Sequence, residues 1–458
     1  MKITIATGPI FPVPAVRGGA VQRLWEGLAR EFAKRGHEVT IFAREFPGQA
    51  KEEMVDGIRY VRRGGYEQST SIKRDLLQCL LYALKTARHV PPGDVVVTND
   101  FWMPAVLPWL NPAAGKVVPC LQRFPKKQCG LYGKCAALVA VSQAVADAVK
   151  AQSPSVADKI VVVPNAIDEV FLRETKRPRD EETKSRSEAK TARGGDEGKL
   201  REQGTAEAEP RRVAAATNGP KDQEPKGLRD QGTRAVRILY VGRIHPEKGL
   251  LLLANALRLL AARDQETKRP KDEEPEFAAA DGDGVSPVGA GRGQTSDWEC
   301  VLVGPVRESE GGGGDGFAEE LKRELEGLPV RFEAPVYDPA ALAKIYDQAD
   351  VFVYPSAAVT GEAMPLAPLE AMARGLVPVV SDLKVFRAYL ESDVNGVVFD
   401  NRGHEKEANL AIALGELVAD PKKRERMGAA AWKTAEKFST VVIADKYLQL
   451  FTKMISGR

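Results

Sequence analysis

Residues 236–263 read VRILYVGRIHPEKGLLLLANALRLLAAR, and this stretch decides the fold. Val236–Val241 is a near-continuous apolar, β-rich run that stops at Gly242. A polar loop, Arg243–Gly249, follows, and helical periodicity takes over at Leu250–Arg263. A strand apolar on both faces that feeds directly into a helix belongs to a parallel sheet covered on both sides.

The same grammar continues outward in both directions. Downstream, strands are predicted at Glu299–Val303, Val330–Glu333, Val351–Tyr354, Val377–Val380 and Gly396–Phe399. Helices are predicted at Phe317–Leu325, Ala340–Gln348, Leu369–Arg374, Ala408–Val418 and Lys422–Lys437. Upstream, strands are expected at Lys2–Ala6, Glu38–Ala43, Gly57–Arg62, Asp94–Thr98, Lys116–Cys120, Ala137–Val141 and Ile160–Val163, with helices at Val21–Arg35, Ile72–Arg88 and Gln143–Ala151. The chain of 458 residues therefore reads as α/β, with two Rossmann-like, doubly wound domains. The first spans residues 1–172 and the second 236–437, and a last helix within 438–458 is expected to cross back to the first.

Two tracts interrupt this pattern, 173–235 between the domains and 264–297 after the first helix of the second. Both are rich in Lys, Arg, Glu, Gly and Pro and poor in residues that build a core, which predicts disordered insertions. They share a phrase, TKRPRDEE at Thr175–Glu182 and TKRPKDEE at Thr267–Glu274, too short for a solenoid repeat.

Charge is unevenly distributed. Residues 1–172 hold 22 Lys/Arg against 15 Asp/Glu, and 236–458 hold 28 against 35. Solvated surface explains this as well as an anionic partner does, and no nucleic-acid partner is expected. Basic residues of the first half, Arg62, Arg63, Lys73, Arg74, Arg123, Lys126, Lys127 and Lys134, leave peripheral contact with an anionic membrane open. The five cysteines are scattered without metal-ligand spacing, which suggests free thiols in a reducing compartment. The chain opens directly into a strand and has no apolar run of membrane-spanning length, so a cytoplasmic protein is expected.

Three segments carry candidate chemistry. Gly18 and Gly19 precede a helix, where backbone N–H groups and the helix dipole can meet a phosphate; a plain glycine turn is the alternative. Arg243 and Lys248 lie in the loop at the carboxyl end of a buried strand, where open α/β sheets bind ligands, and suit a diphosphate. Glu362 and Glu370 flank the tight apolar turn Ala363, Met364, Pro365 and Leu366. Carboxylates so placed can accept hydrogen bonds from sugar hydroxyls, while the turn's amides can face phosphate. Surface carboxylates and dipole complementation remain the alternative for the pair taken alone.

Together these segments resemble glycosyltransferase family 4, retaining enzymes of the GT-B fold. The matching stretches are GGAVQRLWEGLAREFAKRGHEVTIF (Gly18–Phe42), VAVSQAVADAV (Val139–Val149), VVPNAIDEVF (Val162–Phe171), ILYVGRIHPEKGLLLLANAL (Ile238–Leu257), DVFVYPS (Asp350–Ser356) and GEAMPLAPLEAMARGLVPVVSD (Gly361–Asp382). The resemblance implies a nucleotide-diphosphate sugar donor, a glycan, lipid-linked or small-molecule acceptor, and no cofactor or divalent metal. It also implies that Arg243 and Lys248 hold the diphosphate, Glu370 the ribose, and Glu362 the transferred sugar. The amides of Ala363 to Leu366 would then touch sugar and phosphate, with Gly18 and Gly19 closing over the diphosphate. The loop at Pro335–Tyr337 would face the base. Many family members carry a histidine after the strand matching Lys116–Cys120; here Gln122 stands there, and glutamine cannot titrate. This leaves open a catalytically impaired nucleotide-sugar-binding protein of the same fold. A glycoside hydrolase using Glu362 and Glu370 leaves the phosphate-binding features unexplained.

Overall fold

A computed structural model describes residues 1–15, 19–69, 71–172, 234–268, 296–358 and 361–457, with side chains from 265 to 268 excepted. The expected insertions at 173–235 and 264–297 lie largely outside the described residues, as does Gly18. The strands are β1 (Lys2–Ala6), β2 (Glu38–Ala43), β3 (Glu52–Val55), β4 (Ile58–Arg62), β5 (Val95–Thr98), β6 (Lys116–Leu121), β7 (Leu138–Ala140) and β8 (Ile160–Val162), then β9 (Val236–Val241), β10 (Trp298–Val303), β11 (Val330–Glu333), β12 (Val351–Tyr354), β13 (Val377–Ser381) and β14 (Val397–Phe399). The helices are α1 (Ala20–Lys34), α2 (Ile72–Thr86), α3 (Met103–Leu110), α4 (Gln143–Gln152), α5 (Leu250–Lys268), α6 (Gly314–Glu324), α7 (Pro339–Asp347), α8 (Leu366–Ala373), α9 (Lys406–Ala419), α10 (Pro421–Ala435) and α11 (Thr440–Ser456).

The strands form two sheets, ordered β3-β4-β2-β1-β5-β6-β7-β8 and β11-β10-β9-β12-β13-β14. Every pairing between these strands is parallel except β3 with β4. In each sheet the chain starts in the middle, works to one edge, then returns to build the other. The reversal points fall between β1 and β5 in the first sheet and between β9 and β12 in the second. Loops leaving neighbouring strands in opposite directions open a crevice there, at the carboxyl ends.

Some elements differ from the sequence reading. β3 adds an edge strand through a two-residue turn, Asp56 and Gly57, both at positive φ (51° and 75°). That Asp-Gly signal was in the sequence; β3 itself is exposed and lacks the apolar run of its neighbours. α3 was missed because Pro104 and Pro108 sit within its eight residues. α5 continues past Arg263 to Lys268, into the start of the charged tract.

The last helix, α11, lies on the first sheet's side of the molecule. Trp25 and Phe32 of α1 meet Tyr447 and Phe451 with ring centroids 5.1 and 6.1 Å apart. Arg35 reaches Asp445 at 2.7 Å, and the Cys120 thiol lies 3.4 Å from the Tyr447 hydroxyl. The crossing occurs at Phe438–Thr440, where Ile167 N–H donates to Phe438 O and Thr440 Oγ1 to Ile167 O, each at 2.9 Å. Both sheets belong to one compact unit.

Candidate active site

The β9 loop and the β12 loop, which flank the reversal point of the second sheet, are locked back to back. Gly249 has φ +70°, and a Cβ there would lie 1.9 Å from Pro355 O. Only glycine permits that approach. Ala357 N–H donates to Glu247 O at 3.0 Å, and Ser356 Oγ lies 3.3 Å from the same carbonyl. On the far side of β9, a Cβ at Gly304 would lie 1.8 Å from Gly242 O, so the β10 loop packs as tightly.

This packing sets Lys248 against Glu362. The Lys248 ammonium donates to Glu362 Oε1 at 2.5 Å, and both residues are buried. The same oxygen accepts from Ser356 Oγ at 2.9 Å and from Tyr354 OH at 3.1 Å. The ammonium also sits 5.5 Å from the centroid of the Tyr354 ring. A buried charge needs a partner, and each member of this pair finds one in the other. Burial and the nearby Glu362 carboxylate push the Tyr354 phenol well above its ordinary range, so it stays a donor.

Arg243 lies at the edge of the same network. Its guanidinium pairs with Glu247 and donates to Gly311 O at 2.8 Å. Glu247 in turn is 3.8 Å from the Lys248 ammonium. Both expected cations are thus present at the carboxyl end of β9, Lys248 enclosed and Arg243 partly open to solvent. The glycine-rich loop that receives Arg243, Gly311–Gly314, carried no role in the sequence reading. Its fit is close: Gly313 N–H donates to Ile244 O at 2.8 Å.

The turn between the two glutamates is held by its carbonyls. Ala363 O accepts from Ser142 Oγ at 2.7 Å, Met364 O from Asn165 Nδ2 at 3.5 Å, and Pro365 O from Tyr389 OH at 3.0 Å. Asn165 N–H also meets the Met364 sulfur at 3.1 Å. In a trans peptide the next N–H points opposite the carbonyl, so the Met364 and Leu366 amides face away from these partners. Pro365 has no N–H, which corrects the expectation that every amide from Ala363 to Leu366 can contact a ligand. Ser142 caps α4 and comes from the first sheet's half, so the two halves touch at this turn.

Glu370 occupies a separate spot on α8. It is half-buried and accepts from Tyr346 OH at 3.0 Å. Burial raises its carboxyl above the ordinary value, opposed by the Tyr346 hydrogen bond and the Arg23 cation. A cavity of about 40 Å³ adjoins it, lined also by Arg23, Asp168, Phe171, Pro339 and Leu366. Arg23 of α1 also donates to Tyr337 O at 2.8 Å, tying the first half to the Pro335–Tyr337 loop. Gly19 stands at the start of α1 with φ +105°, and a Cβ there would be 2.5 Å from Gln22 Oε1.

Gln122 is turned inward, its amide donating to the Cys120 thiol at 3.3 Å. Arg62 is fully buried, bonded to Val13 O and Ala50 O and 2.7 Å from Glu53. It therefore drops out of the basic surface expected to face a membrane. Sequence reasoning assigned no roles to Tyr354, Ser356, Tyr346 and Arg23. Tyr354 and Ser356 lie in the quoted DVFVYPS stretch, but alternation along a strand does not reveal which hydroxyl meets which carboxylate.

Two doubly wound sheets, a returning C-terminal helix and a charged cluster at a strand reversal point make up the GT-B architecture found in glycosyltransferases. Residues 17–171 match the Glycosyltransferase Family 4 profile and 286–434 the Glycosyl transferases group 1 profile. A D-inositol 3-phosphate glycosyltransferase of Thermomonospora curvata is 30% identical over 261 residues, covering 54% of this chain and 52% of that one. Among solved structures, a glycosyltransferase from Rickettsia africae superposes with a TM-score of 0.61 at 16% identity, covering 100% of both chains. Anabaena Alr3699/HepE in complex with UDP and glucose gives 0.58 at 15% identity, over 99% of this chain and 100% of that one. The chain belongs to glycosyltransferase family 4.

Proposed function

We propose that this glycosyltransferase takes its sugar from a nucleoside diphosphate donor. It passes the sugar, with retention of configuration, to a hydroxyl of a glycan, lipid-linked or small-molecule acceptor. One observation carries this reading: Lys248 and Glu362 meet across the reversal point of the second sheet, with Arg243 beside them at its open edge. Cations there suit a diphosphate, and carboxylates suit sugar hydroxyls.

Arg243 exchanges Glu247 for the donor diphosphate and, with Lys248, stabilises the charge that develops as it leaves. Glu362, oriented by Lys248, Ser356 and Tyr354, accepts from hydroxyls of the transferred sugar. Glu370 accepts from the ribose, and the Met364 and Leu366 amides and the Gly18-Gly19 turn complete the phosphate contacts. The bond from the anomeric carbon to the diphosphate oxygen breaks, and the acceptor oxygen bonds the same face. Its proton passes to the departing phosphate oxygen. Protein cations neutralise the diphosphate, so turnover needs no divalent metal. UDP in the related Anabaena complex makes uracil the first base to test.

The test is a thermal-shift and calorimetric panel of UDP-, GDP- and ADP-sugars with EDTA, on wild type and Glu370→Ala. One class is expected to stabilise the wild type, by roughly 2.7 kcal/mol at a hundredfold excess over Kd, and the variant less. No stabilisation by any of them overturns the donor assignment. Binding without turnover on any acceptor points instead to an impaired, binding-only protein.

A surface on the first half supports a site of work at the membrane. α2 exposes Ile72, Leu76, Leu77, Leu81 and Leu84, with Lys73, Arg74 and Lys85 also exposed on it and Arg88 exposed just beyond its end. Ile72 is 71% exposed, and nearby Trp109, 68% exposed, lies under the Lys134 ammonium. Apolar side chains mixed with cations suit an anionic bilayer surface. No described helix is long and apolar enough to cross a membrane. All five cysteines are unpaired and buried, which supports a reducing, cytoplasmic setting. Wild type is expected to sediment with anionic vesicles and Leu77→Ser/Leu81→Ser to stay in solution; equal sedimentation of both would refute the role of α2.

A further inference from the structure

The turn expected to meet the donor diphosphate belongs to the second half of the molecule, yet its first carbonyl is held by the other half. Ser142 lies two residues beyond β7, caps α4 and is buried. Its oxygen accepts from Val145 N–H at 3.4 Å, and its single proton goes to Ala363 O at 2.7 Å. One hydroxyl therefore fixes the α4 N-terminus and the turn together. α4 also packs against the short helical segment Lys384–Ala388 of the second half, so the bond sits within a wider contact between the halves.

The carbonyls of Ala363, Met364 and Pro365 are held by three different residues, and only two of those govern an N–H. A trans peptide sets a carbonyl and the next N–H on opposite sides of one rigid plane. By holding Ala363 O, Ser142 therefore fixes the direction of Met364 N–H. Tyr389, which comes from the second half itself, does the same for Leu366 N–H through Pro365 O at 3.0 Å. Asn165 of the first half holds Met364 O at 3.5 Å, but the next residue is Pro365, which has no N–H to direct. Met364 N–H has no acceptor among the described residues, so nothing in the chain competes with a ligand for it.

We propose that Ser142 is a positioning residue for the donor: from the first half it aims Met364 N–H at the diphosphate, so the donor site is complete only while the two halves touch. The proposal rests on the donor reading above. The Ser142 hydroxyl touches neither sugar nor phosphate and acts through one peptide plane. Leu366 N–H, aimed from within the second half, serves the donor whether or not the halves meet. A linkage follows. Whatever draws α4 against the turn strengthens donor binding, and a bound diphosphate strengthens that contact by the same factor.

Ser142→Gly removes the hydroxyl and, because glycine is tolerated as a helix cap, costs α4 little. Calorimetry with the nucleotide-sugar that stabilises wild type should show this variant binding about tenfold more weakly, the loss expected for one hydrogen bond to a charged group. Ser142→Thr keeps both hydroxyl and cap and should restore wild-type affinity. Asn165→Ala loosens the same turn without redirecting an N–H and should weaken binding by less than about threefold. In the free protein, with no donor present, hydrogen exchange of Gly361–Leu366 should be faster in Ser142→Gly than in wild type or Ser142→Thr. A Ser142→Gly protein that binds within about twofold of wild type overturns the proposal. So does an Asn165→Ala protein weakened as much as Ser142→Gly, since general contact between the halves would then account for both. If wild type binds no nucleotide-sugar, the donor reading fails on its own. The exchange comparison still decides whether Ser142 holds the turn, and equal rates in all three proteins refute it.

Discussion

Replacing Lys248 by methionine leaves the Glu362 carboxylate with two hydroxyl donors and no cation, in a place where both side chains are only 7% exposed. Removing one member of a buried pair costs about 3–5 kcal/mol. The hydroxyls of Tyr354 and Ser356 keep the loss near the lower end, ~3 kcal/mol. Glu362→Gln strands the ammonium over the Tyr354 ring, at a similar ~3 kcal/mol. The double variant buries neither charge and should lose no more than either single, so the coupling is ~3 kcal/mol, the upper end for contacting residues. At roughly 2 °C per kcal/mol, each single variant and the double should all melt about 6 °C below wild type. Differential scanning calorimetry at pH 7 reads this directly, and nucleotide-sugar stabilisation should vanish in all three. A double variant that melts about 12 °C low, the sum of the singles, would show the two charges acting independently and refute the pair.

Gly249→Ala places a Cβ 1.9 Å from Pro355 O at positive φ and should cost at least ~3 kcal/mol along with donor binding; Gly36→Ala, at φ +80° with nothing within 4 Å, should cost only ~1 kcal/mol. Comparing the two melts checks that contact, and not backbone strain alone, locks the site loops. Arg23→Ala removes a cation that lowers the Glu370 carboxyl and frees the Tyr337 loop. Donor affinity by calorimetry should fall about tenfold, and the acid limb of the binding profile should move to higher pH. Asp100 binds its proton more tightly folded than unfolded, about 6 against 3.8, so its contribution to stability falls as pH rises through that window. Cys79, Tyr66, Tyr82 and Tyr132, which also face it, keep their protons well above the window. Asp100→Asn should flatten this slope in melts recorded from pH 4 to 7.

Local pattern by itself determined the two-sheet α/β architecture. Apolar runs such as Ile238–Val241 and Val95–Thr98 are long enough, and spaced by helical stretches regular enough, to demand parallel strands between helices. It also located Arg243, Lys248 and Glu362 in loops that follow buried strands and Glu370 in the helix beyond, because a loop at the end of a buried strand follows from the strand. Tertiary structure decided which of them meet. Lys248 finds Glu362 across 114 residues only because the β9 and β12 loops pack through Gly249, while Arg243 is drawn to Glu247. The same holds for Arg62, one more basic residue in the sequence and a fully buried hydrogen-bonding post in the fold. It holds again for Asp100, which packs against Gly8 at the end of another strand. Periodicity reports what a residue does to its own neighbours in the chain. Partnership between distant side chains is set by the packing of whole elements, which no short stretch of sequence records.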